Sequence, residues 1–142
     1  MEVLHWNCNG LIESRLKQLK SLVDTREELQ MVSLSETKRD LRREENIVNL
    51  SVIFPSQKWK KCYTFEGQGL ITFVKYPTDT DYDIEIEDHS VEDRELMHVV
   101  KIKKSNNQNY TVFSFAHVFY LVFSCSCPCA HDMKCRVMCI PA

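Results

Sequence analysis

Apolar and polar residues fall in blocks along this chain, and the first blocks predict a strand, a helix and a strand before residue 36. Residues 2–7, Glu-Val-Leu-His-Trp-Asn, read as a strand that runs into a turn at Asn9-Gly10. Leu16, Leu19, Leu22 and Val23 then recur at helical spacing on one face, with Lys17, Lys20 and Arg26 elsewhere. Ser14 is placed to cap that helix. Leu29 to Ser35 is short, apolar and bounded, the signature of a buried strand. Strand, helix and strand in about 35 residues form a βαβ unit, whose right-handed crossover makes the two strands parallel neighbours.

Beyond Glu36 the chain turns basic at Lys38, Arg39, Arg42 and Arg43, where a short helix is expected. Cys62 to Phe65 and Leu70 to Lys75 read as strands joined through Gly67-Gln68-Gly69, a hairpin signal. Tyr82 to Ile86, Leu96 to Lys103 and Tyr110 to Val118 are further strand candidates, with a turn at Ser105-Asn106-Asn107. One βαβ unit followed by antiparallel hairpins implies a mixed sheet in a layered α/β fold. From Tyr120 the pattern loses its period and packs in Cys125, Cys127, Cys129, Cys135 and Cys139. The expected organisation is a domain over residues 1–119 and a cysteine-rich tail over 120–142 that stands outside it.

Composition changes this picture little. The chain has 142 residues, 44% hydrophobic and 27% charged, enough for one core of ordinary globular type. A formal net charge of -2 gives no global basic field for a nucleic acid. The charge is uneven, however: most basic side chains lie between Arg15 and Lys61, and residues 79–95 are acidic except for Arg94. That distribution suits either a local basic face or ordinary solvated surfaces. No secretory signal follows Met1, and no apolar run is long enough to cross a membrane. An intracellular place, nucleus or cytoplasm, is expected, where a disulfide framework for the seven cysteines is not.

The chemistry-bearing residues gather at the ends of the first two strands. In open α/β sheets, sites form beyond the carboxyl ends of parallel strands. Asn7 and Asn9 leave the first strand there and Glu36 leaves the second, one strand spacing away. Two amide oxygens and a carboxylate are hard donors of the kind magnesium takes, with water and phosphate completing its shell. Asn7 is also suited to orienting a catalytic group or a phosphate oxygen. The same residues have a plainer reading, since asparagine at a strand end caps turns and a glutamate after an apolar strand meets water.

Trp6-Asn7-Cys8-Asn9-Gly10-Leu11 resembles the opening motif of the endonuclease/exonuclease/phosphatase superfamily, and Leu34-Ser35-Glu36-Thr37-Lys38 resembles its second motif. Residues 67–75 are similar to the family's glycine-led strand, and residues 110–118 to its next core strand. The pattern is nearest to the apurinic-type endonuclease domains of non-LTR retrotransposons and covers residues 2–118. The resemblance implies the four-layer α/β sandwich of the DNase I-like type, present here in part. It implies magnesium-dependent hydrolysis of DNA phosphodiesters, with Mn2+ as a possible substitute. By position Glu36 would be the metal ligand, Asn9 would stand beside the metal, and Asn7 would hold the catalytic network. Where the family carries an Ala-Tyr-Val-Pro-like motif whose tyrosine faces the phosphate, this chain has Ala116-His117-Val118-Phe119, so His117 takes that place. The family's Gly-Asp-Phe-Asn and Ser-Asp-His motifs do not occur. The expectation is a truncated copy, weakly active or inactive.

Two other classes of function stay open. One is a non-catalytic nucleic-acid- or protein-binding remnant that uses the basic segment Lys38–Arg43, with Trp59 and its neighbouring lysines against a DNA backbone. The other is a zinc-binding protein built on the cysteine tail and His131, although Cys-x-Cys-x-Cys is not the spacing of a structural finger. Cys8 lies between the two asparagines without an identifiable histidine partner, and Asp88-His89 sits in a solvated acidic stretch.

Overall fold

A computed structural model describes residues 2–64, 69–77, 81–89, 97–106, 111–116 and 136–140. The first strand β1 (Glu2–Asn7), helix α1 (Glu13–Thr25) and strand β2 (Leu29–Ser35) form the predicted βαβ unit, with β1 and β2 parallel. Both strands are buried along most of their length, as strands covered on two faces must be. Helix α1 turns Leu16 and Leu19 to the sheet and begins at Glu13, whose charge favours the helix N-terminus. Ser14 does not cap it. The cap position is Ile12, with no side-chain hydrogen bond, so Ser14 already lies inside the first turn.

The helix expected across the basic run forms later, as α2 (Glu44–Ile53). Asp40 keeps residues 40–43 in a turn: its carbonyl accepts from Arg43 N at 3.1 Å, and its Oδ1 accepts from Arg42 N at 3.0 Å. Such local bonds from a side chain to the backbone compete with a helix. Helix α2 ends where Phe54 N donates to Leu50 O at 2.8 Å, just before Pro55.

The remaining strands separate into two groups. Strands β3 (Trp59–Thr64) and β4 (Leu70–Lys75) are the predicted antiparallel hairpin and join the βαβ unit through β4 and β2. Strands β5 (Tyr82–Asp88), β6 (Met97–Lys104) and β7 (Thr111–Ala116) make a second, wholly antiparallel sheet. Strand β8 (Arg136–Ile140), within the segment read as a tail, pairs in parallel with β1. The chain is therefore mixed α/β with two sheets, a mixed one ordered β3-β4-β2-β1-β8 and an antiparallel one ordered β5-β6-β7. Among the described residues no helix is long and apolar enough to cross a membrane.

Three layers follow from which side chains bury together. The helices cover one face of the mixed sheet, packing Leu16, Leu19, Leu50, Ile53 and Phe54 on Leu4, Trp6, Val32, Leu34 and Phe73. The other face carries Val3, Met31 and Val74, which meet Ile84, Val100, Phe113 and Phe115 of the antiparallel sheet. The outer face of that second sheet is charged. Lys101 binds Glu87 at 2.8 Å, and cross-strand register sets Asp83 opposite Lys103 and Glu85 opposite Lys101. Opposite charges therefore meet across β5 and β6 on that face.

The inter-sheet layer changes character along the strands. Nearest the strand starts of β1 and β2 it is apolar. One side-chain row further on, register aligns Cys62, Thr72, Ser33 and His5 across β3, β4, β2 and β1. The next row holds Ser35 and Asn7, at the sheet edge. The helix-side core and the exposed ridge of α2 predict opposite mutational costs. Phe73→Ala removes a buried ring stacked on Phe54 at 3.8 Å between centroids and is expected to lower unfolding free energy by about 3–5 kcal/mol in urea titration. Val52→Ala, at a position 62% exposed, should change it by less than about 0.5 kcal/mol.

Candidate functional site at the carboxyl edge of β1 and β2

The parallel ladder does not stop where the strands do. Beyond Asn7 and Ser35, Cys8 N donates to Ser35 O at 2.9 Å, Gly10 N to Glu36 O at 2.7 Å and Leu11 N to Thr37 O at 2.9 Å. The two turns are thus laced together residue by residue. Asn7, Asn9, Glu36 and Lys38 come out on one edge as a result.

The lacing requires unusual backbone. Asn9, Glu36 and Lys38 are the described non-glycine residues with positive φ, at 43°, 50° and 52°. Asparagine tolerates that region, whereas for glutamate and lysine it costs about 1–2 kcal/mol each. Side chains hold these conformations. Asn7 Oδ1 accepts from Asn9 N at 3.1 Å, and Lys38 Nζ crosses from the second turn to donate to Asn9 Oδ1 at 2.8 Å. Arg15, on α1, donates through Nη1 to Asn9 O and Gly10 O, each at 2.9 Å. Arg39 Nε donates to Leu11 O at 2.6 Å. Three successive carbonyls, those of residues 9, 10 and 11, therefore end on guanidinium groups, and the amides of residues 9–11 are also bonded, that of Asn9 to Asn7 Oδ1 and those of Gly10 and Leu11 across to the second turn.

A third element closes the edge from the β4 side. Thr37 N donates to Gly69 O at 3.3 Å, and Gly69 has φ 91°. A Cβ at residue 69 would lie 2.4 Å from Thr37 Oγ1. The start of β4 thus approaches the glutamate turn as closely as a backbone without a side chain allows.

Electrostatics divide the residues of the edge. Cys8 is fully buried, and burial pushes its thiol up to about 12, with the nearby Arg15 charge pulling down and Glu36 pushing up. It stays protonated, so the thiol between the asparagines is no nucleophile.

The basic run Lys38–Arg43 is largely occupied in building the loop. Lys38 holds Asn9, Arg39 holds Leu11 O and Asn46 Oδ1, and Arg42 pairs with Asp40, whose carboxyl it holds below the usual carboxylate range by hydrogen bonding. Trp59 is buried and packs edge-on to Phe54 at 5.1 Å, so it offers no open face to a base. Asp88 accepts from Thr64 Oγ1, and His89 pairs with Glu87. These two residues belong to separate interactions and form no dyad.

The geometry brings together Asn7, Asn9 and the turn of Glu36. His117 lies outside the described residues, as do Cys125, Cys127, Cys129, His131 and Cys135. Among the described residues there is no cluster of three or more His, Cys, Asp or Glu that could hold a metal. Among the described residues the edge instead offers the carboxylate of Glu36 and two amide oxygens, that of Asn7 accepting from Asn9 N and that of Asn9 from Lys38 Nζ. Hard oxygens of this kind suit magnesium when phosphate and water supply most of its shell.

The residues that support the two turns were not singled out by sequence. Lys38 was legible only as part of a basic run, and Arg15 only as the first residue of the basic stretch. The signal for Gly69 was its place at the head of an apolar strand. Comparison with protein-family models, curated proteins and solved structures finds no match for this chain.

Gly69→Ala is expected to lower stability by about 2–4 kcal/mol, from steric overlap and positive φ together. Thr37→Ala added to it should recover the steric part and leave about 1 kcal/mol, measured by urea unfolding. Cys8 should resist alkylation at pH 8 in the folded chain and react once denatured, read by peptide mass mapping.

Proposed function

We propose that this chain carries the metal-binding edge of a magnesium-dependent phosphodiesterase of the endonuclease/exonuclease/phosphatase type, acting on DNA. The observation that carries this reading is the lacing of residues 8–11 to residues 35–37, which sets Asn7, Asn9 and Glu36 on one edge above two facing sheets. The resemblance of Trp6–Leu11 and Leu34–Lys38 to the superfamily's first two motifs supports it. So does the layering of helices, mixed sheet and antiparallel sheet, which is the arrangement expected of part of a DNase I-like sandwich.

Under this proposal Glu36 would hold the ion, with Asn9 beside it. Magnesium bound there would polarise a phosphoryl oxygen and stabilise the leaving oxyanion. The chain's own residues then do the positioning. Asn7 fixes the turn through the Asn9 amide. Lys38, an exposed ammonium at the same edge, draws the phosphate in as a point charge. Asn9 Oδ1, which accepts from Lys38, would be one of the oxygens beside the ion, and the Lys38 ammonium at the same edge suits a phosphate oxygen. His117 would face the phosphate by the resemblance alone. Without the Gly-Asp-Phe-Asn and Ser-Asp-His motifs, turnover by this chain should be weak, because such residues act as a unit.

A second reading, a DNA-binding remnant without catalysis, is favoured by Glu36 being the one carboxylate placed at the edge among the described residues. A plasmid-nicking assay with the full chain separates the two. The enzyme reading expects slow nicking that needs Mg2+ or Mn2+ and is lost in Glu36→Ala. Equal nicking by Glu36→Ala removes Glu36 from the chemistry, and retarded but uncut plasmid supports the remnant.

A further inference from the structure

His98, on β6, is fully buried between the sheets and belongs to no part of the site described above. Its Nε2 lies 2.9 Å from Thr64 Oγ1 on β3, and its Nδ1 lies 2.9 Å from Thr72 Oγ1 on β4. Thr64 Oγ1 in turn donates to Asp88 Oδ2 on β5 at 2.6 Å. Four side chains from two strands of each sheet therefore form one chain of hydrogen bonds.

Donor and acceptor accounting gives this chain a single direction. An ionised carboxylate only accepts, so the one hydroxyl proton of Thr64 goes to Asp88. Thr64 must then accept from His98, which places the imidazole proton on Nε2. A neutral imidazole has no second N–H, so Nδ1 accepts and Thr72 donates. The order runs Thr72 to His98 to Thr64 to Asp88, each hydroxyl and the ring donating once. Cys62 Sγ, 3.8 Å from Nε2, adds a weak contact from β3.

We propose that this one-way chain is a proton-operated latch between the two sheets: with His98 neutral it holds β5 and β6 against β3 and β4, and a proton taken from solvent at Nδ1 unfastens them. A proton on Nδ1 meets the Thr72 hydroxyl proton head-on, so the bond to β4 breaks unless that hydroxyl turns away. The resulting cation stays buried between the sheets, with the apolar row of Val3, Met31 and Val74 on one side and the row of Thr64, Ser35 and Asn7 on the other. Thr64 lies between it and Asp88.

Among the described residues, Asp88 on β5 and Cys62 on β3 are the titratable groups in its hydrogen-bond contacts, and the Asp88 charge offsets the burial only in part. β4 presents Thr72, β2 presents Ser33 in register with Thr72, and β7 presents Phe115, on which His5 of β1 stacks at 6.2 Å. Burial pulls His98 down to about 4 from 6.5, with the Asp88 charge opposing. A histidine that is harder to protonate when folded keeps its full contribution above about 6.5 and loses it as pH falls toward 4. The latch therefore opens in acid and is closed at neutral pH.

The test uses the full chain, labelled with 15N, and owes nothing to phosphodiester chemistry. At pH 7 the ring should show a protonated Nε2 and a bare Nδ1. Between pH 7 and 4.5, amide exchange corrected for its intrinsic rate should quicken on the order of 50-fold in β5, β6 and β7, while β1, β2 and β4 keep their protection. Asp88→Asn leaves Thr64 an oxygen to donate to but removes the charge that favours imidazolium, so His98 should titrate at lower pH, and the loosening should begin at the same pH and continue further into acid. An Nδ1–H tautomer, loss of protection in both sheets together, or an unmoved His98 titration in Asp88→Asn would each overturn the latch.

Discussion

The parallel pairing of β1 with β2, carried past the strand ends into their turns, is the constraint on which the rest of this structure depends. A parallel ladder fixes direction, so both strands deliver their last residues to the same edge. Continuing the bonds from Cys8 to Leu11 and from Ser35 to Thr37 converts two loops into one rigid border. The border is strained at Glu36 and Lys38, and it persists because Arg15, Arg39, Lys38 and the close approach of Gly69 over-determine it. Strain of this kind gathers where geometry is put to use.

Beneath that border the packing is graded. Helices seal one side of the mixed sheet with leucine, isoleucine and phenylalanine. On the other side an apolar row gives way to a polar one containing Thr72, Ser33, His5 and the buried His98, immediately before the row of Asn7 and Ser35. A polar layer there costs stability unless its groups are bonded, and the chain through His98 bonds Thr72 and His98 of that layer to Thr64 and Asp88. Apolar burial fixes how the sheets stack, and the hydrogen-bond chain fixes which residues face one another across the stack.

The βαβ unit, the β3–β4 hairpin and the antiparallel strands β5–β7 were legible in the sequence, because Leu16 and Leu19 repeat at helical spacing and Leu29–Ser35 is a bounded apolar run. Helix α2 was not. Its apolar residues divide between the buried Leu50 and Ile53 and the exposed Val48 and Val52, so no single stripe marks it. The division into two sheets was also hidden, since period-two alternation in Ile84, Ile86, Val100 and Ile102 states that one face is buried without saying against what. Asn7, Asn9 and Glu36 could be placed at one edge because parallel neighbours leave no other choice. Arg15, Lys38 and Gly69 could not be placed, because their partners are backbone atoms and turns far along the chain, which no local pattern encodes.

Under the proposed function the two turns form one oxygen-lined site for a divalent ion. Titrating Mn2+ into the 15N-labelled chain and following paramagnetic broadening of its amide signals reports on that site without requiring turnover. Early, joint broadening of residues 7–11 and 35–38, centred on Glu36, is expected. Broadening confined to one turn, or centred on another part of the chain, would contradict it.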